Sequence, residues 1–253
     1  MQGYDNSSYG DAFADVYDDW YGDITDAAIA VDALARLSDK TGSLPIVELG
    51  IGTGRLALPL IERVRPTPVV GIDSSAAMLR ELDREVGGNE IRTVLGDMVD
   101  DLPDGPLGVV FVAFNTFFNL ETRERQQACM TAVAKRLGAG GCFVVEAIVP
   151  DQPPLTGSRV EVKSLTADRV VLSVVRYDGE QVAEGQFVEF TQAGGVRLRP
   201  WSIRYVTPDE LDAMAATAGL RLRERWQSFA GEAFSDHSDR HVSVYELPPV
   251  ARV

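Results

Sequence analysis

Cysteine and histidine are scarce, two of each in 253 residues. Cys129 and Cys142 lie in stretches that read as a helix and a strand, without a paired metal-binding spacing. Reduced core thiols are therefore expected rather than a disulfide framework. His237 and His241 have the spacing of a helical metal pair, but the Ser- and Asp-rich residues around them do not read as a helix, and no metal site is expected. Long hydrophobic runs are absent too, and the first ten residues are polar. With no signal region and no run of membrane-spanning length, the expectation is a cytoplasmic protein without membrane attachment. Basic residues are outnumbered, 24 Lys and Arg against 38 Asp and Glu, for a net charge of −14. Surfaces that track phosphates concentrate Lys and Arg, so a nucleic-acid partner is not expected.

The hydrophobic content of 45% is that of an ordinary globular chain able to bury a sizeable core. Its organising stretch is 46–60, where a short apolar run stops at Gly50, Gly52 and Gly54 and an apolar pattern of helical spacing follows. This predicts a buried strand, a tight turn and a helix. The glycines allow a close backbone approach to a ligand, and the N–H groups of the helix start can face its polar atoms.

Before that stretch, residues 11–22 place Phe13, Val16, Tyr17, Trp20 and Tyr21 at helical spacing, and 26–37 repeats the pattern with aliphatic residues. After it, buried strands are expected at 67–73, 91–95, 107–114 and 142–149. Helices are expected at 76–86, capped by Ser74, and at 121–137, stopped by the glycines of 138–141. The alternation makes an α/β, doubly wound, mostly parallel Rossmann-like sheet the economical fold. From 160 to 206 the pattern becomes one of apolar–polar alternation, with strands at 169–177, 186–191 and 196–205 between Gly-containing turns. This predicts an inserted antiparallel β layer. Thr207 and Pro208 then open another helix, and 220–227 and 241–247 read as final strands.

Asp73 closes the second strand nineteen positions past Gly54, where a carboxylate can meet ribose hydroxyls. A dinucleotide loop would have a third glycine where Arg55 stands. Glu48, just ahead of the loop, disfavours a pyrophosphate and suits a ligand with an amino group. Gly96-Asp97-Met98 closes the third strand with an acceptor for an exocyclic amine and a side chain able to cover a purine. The set converges on an adenosyl ligand with an amino-acid tail.

In Glu48-Leu49-Gly50-Ile51-Gly52-Thr53-Gly54, Gly71-Ile72-Asp73 and Gly96-Asp97-Met98 the chain resembles class I S-adenosylmethionine-dependent methyltransferases. The resemblance implies a seven-stranded sheet and S-adenosylmethionine as cofactor. It implies that Glu48, Gly50, Gly52 and Gly54 hold the methionine part, Asp73 the ribose, and Asp97 with Met98 the adenine. Ser74 and Met78 are expected beside them. Glu48 departs from the commoner Asp. Tyr17 and Tyr21 match the aromatic helix by which small-molecule members cover the cofactor, and the inserted β layer resembles that of N-methyltransferases acting on amino sugars or natural-product amines.

Expected segments are a helical cover at 1–40, a cofactor-binding unit at 41–150 and 206–253, and a β lid at 151–205. The expected partner is a small amine-bearing acceptor, with a homodimer possible. For catalysis, Asn115 leaves the fourth strand at the ligand-binding face, His241 is a candidate base, and Tyr17 stands at the cover. Phe117 and Phe118 are candidates to shape the acceptor pocket, as is one of Trp201, Arg204 and Tyr205. Methyl transfer to oxygen, aminopropyl transfer and a cofactor-binding subunit without turnover stay open on the residues alone.

Overall fold

The computed structural model describes residues 1–22 and 26–249, so the segments expected at 1–40 and 206–253 each include residues outside the described ones. The apolar runs form β1 (Ile46–Leu49), β2 (Val69–Asp73), β3 (Arg92–Leu95), β4 (Leu107–Val112) and β5 (Leu137–Ile148). The final strands are β10 (Arg221–Trp226) and β11 (Arg240–Glu246). They make one seven-stranded sheet in the order β10-β11-β5-β4-β1-β2-β3. β1 pairs in parallel with β2 on one side and β4 on the other, and β11 runs antiparallel between β5 and β10. The strand order thus reverses between β1 and β4, the place where an open α/β sheet leaves a crevice beyond its carboxyl ends.

Helices cover both faces of this sheet: α3 (Ala27–Ser38), α4 (Ala57–Val64) and α5 (Ala76–Leu82) on one, α6 (Arg123–Ala134) and α7 (Pro208–Thr217) on the other. β1 and β4 are buried throughout because successive side chains enter opposite cores: Val47 and Val110 one, Ile46 and Val109 the other. β5 continues through the glycines expected to end a helix. A Cβ at Gly141 would lie 2.7 Å from the Leu107 carbonyl oxygen, so the missing side chain lets the strand close against β4.

The inserted layer is a four-stranded antiparallel sheet, β6 (Thr156–Leu165), β7 (Arg169–Asp178), β8 (Val182–Thr191) and β9 (Val196–Arg204). β6 is a strand the alternation alone did not delimit. The sheet's inner face carries Val171, Val175, Ala183, Phe187, Arg199 and Trp201. On the outer face Val160, Val162, Leu165, Phe190, Val196 and Leu198 are exposed to solvent.

The single helix expected at 11–22 is two, α1 (Ser8–Phe13) and α2 (Tyr17–Tyr21). The reason is tertiary. The Arg199 guanidinium takes the Ala12 carbonyl, which helical continuation would give to the Val16 N–H, and that N–H turns to the Phe13 carbonyl instead. α1 meets the start of α5 closely, since a Cβ at Gly10 would lie 2.3 Å from Ser75 Cβ.

Candidate functional site

A cavity opens at the reversal point, between the carboxyl ends of β1, β2 and β3 and the N-terminal helices. Its floor is the glycine turn after β1. Gly50, Gly52 and Gly54 have φ of +70°, +57° and +85°, a region that side chains rarely adopt. At Gly50 a Cβ would also lie 2.4 Å from Thr116 Cγ2, while Gly54 is closed in by Leu58 and Leu82. Gly50 and Gly52 therefore present bare backbone to the cavity, and Gly54 allows α4 and α5 to pack.

Asp73 holds the turn to the next strand: its Oδ2 accepts the Gly52 N–H at 2.8 Å and its Oδ1 the Ser75 N–H at 2.8 Å. Burial raises its pKa and the two backbone donors oppose that. Each carboxylate oxygen keeps acceptor capacity toward the cavity. Glu48 is buried at the base of the turn. The Ala57 N–H bonds to its carboxylate, yet Oε2 has no hydrogen-bond partner among the described residues. Desolvation pushes this carboxyl up to about 8, with Arg55 opposing the shift and Asp73 adding to it. Glu48 is not itself among the residues lining the cavity, but a buried acceptor without a donor beneath the turn fits a ligand carrying an amino group, so the residues present suit the expected cofactor.

At the end of β3, Asp97 Oδ1 accepts the Val99 N–H at 2.7 Å and an Arg125 N–H at 2.5 Å. Its Oδ2 accepts the Asn6 amide at 2.7 Å, so the N-terminal segment reaches over the same carboxylate. Ser74 is not the helix cap: its hydroxyl donates to the Asn6 carbonyl, and Ser75 caps α5 through the Met78 N–H.

Of the residues singled out in the sequence, Tyr17, Ser74, Met78 and Met98 line this cavity with Gly50, Gly52, Asp73 and Asp97. Tyr21 lies one ring behind, 5.1 Å from Tyr17 between centroids. Burial raises the Tyr17 hydroxyl, so it stays protonated at neutral pH. Asn115 does not line the cavity. With Phe114 it forms a left-handed corner, φ 46° and 63°, rare for non-glycine residues. Three bonds hold this corner: Phe114 N–H to a Glu146 carboxylate oxygen at 2.9 Å, Asn115 N–H to the Glu146 carbonyl, and Ile148 N–H to Asn115 Oδ1 at 2.8 Å. The corner delivers Thr116 to the cavity wall. Phe117 and Phe118 turn into the core.

His241 also stands apart from the cavity-lining set. Its ring is buried on β11, with Nδ1 2.8 Å from Ser243 Oγ and an edge toward Phe234, 6.3 Å between centroids. Burial, with Arg225 nearby, lowers it to about 4. Arg204 is occupied by Gln126, Gln181 and Glu210, and Tyr205 is buried in the main core, which leaves Trp201 facing the N-terminal helices. Thr116 and Asn119 of the cavity wall belong to the polar-aromatic group 115–119 that leaves the fourth strand, whereas sequence reasoning missed Asn6 and Tyr9. No local signal marks those two, because their approach to the cavity depends on contacts between residues distant in sequence.

Comparison with known proteins bears on this geometry. Residues 46–141 match a family model described as a methyltransferase domain. The chain is 31% identical over 188 residues to a demethylmenaquinone methyltransferase of Thermus thermophilus, spanning 73% of this chain and 77% of that one. It is 27% identical over 205 residues to the cypemycin N-terminal methyltransferase of a Streptomyces species, 79% and 82% of the two chains. Among solved structures it resembles the CcbJ methyltransferase from Streptomyces caelestis, with 37% identity, a TM-score of 0.86, and 96% and 99% of the two chains covered. Glycine turn, strand order and these likenesses agree: the chain belongs to the S-adenosylmethionine-dependent methyltransferases.

Proposed function

We propose that this enzyme methylates a nitrogen of a small-molecule or peptide acceptor. The observation that carries the choice of nitrogen is the state of the candidate base, His241, and of Tyr17, the covering side chain with a titratable hydroxyl at the cavity. Tyr17 reaches the cavity but keeps its proton, and His241 is turned onto Ser243 away from it. A hydroxyl acceptor leans on a base worth about 10²–10⁴-fold, whereas a neutral amine needs chiefly to be held in line, worth ~7–11 kcal/mol. The likeness to a relative named an N-terminal methyltransferase supports the same reading.

In this reading Glu48 Oε2 takes the amino group of the cofactor's methionine part, Asp73 the ribose hydroxyls, and Asp97 with Met98 the adenine. Gly50 and Gly52 give the space, Ser74 and Met78 flank it, and Tyr17 and Tyr21 cover it. When bound, S-adenosylmethionine supplies an already activated sulfonium methyl. Asn115 acts as a positioning residue, pinning the strained corner that sets Thr116. The test is incubation with isotopically labelled cofactor and a panel of amines, amino sugars, peptides and phenols, read by mass spectrometry. Gain of labelled methyl on amines is expected. Transfer to phenols alone would overturn the choice of nitrogen, and cofactor binding without any transfer would favour a subunit without turnover.

The same proposal includes a second copy as partner. The exposed outer face of the β6–β9 sheet, about 19 by 34 Å from strand spacing and rise, offers roughly 650 Å² per partner. Pairing of two such faces would bury about 1,300 Å², within the range of specific interfaces. Sedimentation should show a dimer that Val162→Asp with Leu198→Asp converts to a monomer. Two buried, unpaired cysteines suit the expected reducing cytoplasm, and among the described residues no helix is long and apolar enough to cross a membrane.

A further inference from the structure

Lysine is rare in this chain, with Lys40, Lys135 and Lys163 making up all three. Lys163 sits on β6, and its Nζ lies 4.9 Å from the ring centroid of Phe187, 5.1 Å from that of Tyr21 and 5.3 Å from that of Trp20. Three rings from two elements thus surround one ammonium: Trp20 and Tyr21 from α2, Phe187 from β8. Each is within the ~6 Å at which a ring's negative face attracts a cation. Among the described residues Lys163 makes no ion pair or hydrogen bond. The rings are its only close attraction there; the residue is exposed overall, and partial desolvation of its ammonium against them lowers its pKa.

Trp20 also lies near a second cation, Arg199, whose Cζ is 5.4 Å from its centroid. The two cations differ in commitment. Arg199 is held by Asp15 and Glu189, whereas Lys163 is a flexible chain on an edge strand. The box also stands one ring from the cofactor cavity, since Tyr21 packs on cavity-lining Tyr17 and lies 5.7 Å from Phe114 at the exit of β4.

We propose that Trp20, Tyr21 and Phe187 form a receiving site for an alkylammonium group of the acceptor or product, and that Lys163 is its displaceable occupant in the empty enzyme. This rests on the reading of the acceptor as an amine. When an amine nitrogen takes the methyl, the C–N bond forms, the C–S bond breaks, and the positive charge passes from sulfur to nitrogen. A ring box beside the cavity favours that charge on the acceptor side without binding a proton. Lys163 holds the same box with a charge of the same sign, so the box admits only ligands able to replace a cation.

The test uses choline and its neutral isostere 3,3-dimethyl-1-butanol as probes, with tryptophan fluorescence as readout. In Lys163→Ala, choline should quench saturably and bind about fivefold or more tighter than the isostere. It should also bind tighter there than in the unaltered enzyme. Adding Phe187→Leu should abolish the difference between the probes. Equal binding of choline and the isostere, or discrimination that survives Phe187→Leu, overturns the proposal. Lys163→Gln, with melting curves for all variants, gives the same reading should Lys163→Ala fold poorly. Calorimetry with S-adenosylhomocysteine separates the two claims: its failure beside intact choline discrimination would count against the cofactor site and not the box.

Discussion

Arg199 and Asp15 stand side by side, Nη1 to Oδ1 at 2.7 Å, although 184 residues separate them in sequence. Arg199 is 1% exposed and also meets Glu189 at 3.1 Å, so one guanidinium joins the N-terminal helices to the inner face of the inserted sheet. The ring box lies along this seam, and the N-terminal helices that it holds also wall the cavity.

Arg199→Met should loosen the seam. It takes from the buried Glu189 carboxylate the closer of two guanidinium groups, with Arg169 remaining at 3.5 Å, where breaking a buried pair outright costs about 3–5 kcal/mol. The lower end is expected, because Asp15 is half exposed and turns to water. Chemical denaturation measures it, and proteolysis within residues 1–22 should accelerate. A change below about 0.5 kcal/mol, the scale of an ordinary surface substitution, would contradict the role.

Asp73→Ala removes the acceptor of the Gly52 N–H as well as the expected ribose contact. S-adenosylhomocysteine affinity should fall by about 1–3 kcal/mol, read by calorimetry. Unchanged affinity in a folded variant would remove Asp73 from the site.

Glu48 carries a pH signature. Its carboxyl titrates at about 8 in the folded chain and near 4.5 when unfolded. Between those values the folded state binds more protons, so this group lowers stability as pH rises through the window. Glu48→Gln should flatten that slope in melting curves. Because a cofactor amino group favours the ionised carboxylate, S-adenosylhomocysteine affinity should climb toward pH 8 in the unaltered enzyme and stay level in the variant.

His241 has the opposite sign. Its pKa falls from 6.5 to about 4 on folding, so the unfolded chain binds more protons in that interval and stability rises with pH across it. His241→Leu should remove this slope and leave the pH–rate profile unchanged on its acid side. Disappearance of an acid-side limb, where activity falls as a base takes its proton, would return His241 to the chemistry.

Local pattern carried much of the fold. Strand, glycine turn and helix at 46–60 were legible because period, turn chemistry and breakers act within a few residues, and Asp73 and Asp97 followed from standing at successive strand ends. The split of 11–22 into two helices was not legible, since it depends on Arg199 taking the Ala12 carbonyl from far along the chain. Ser74 and Ser75 are equally good caps in isolation, and contact of Ser74 with Asn6 decided between them.

The sequence by itself determined the glycine turn and the doubly wound sheet, because those motifs are short, contiguous and stereochemically strict. Tertiary structure alone decided which side chains surround the cavity and the ring box. Those surroundings are assembled from the N-terminal helices, the corner after β4 and an inserted sheet, brought together by packing, hydrogen bonds and ion pairs between residues as much as 187 positions apart. Such pairings leave no local period to read.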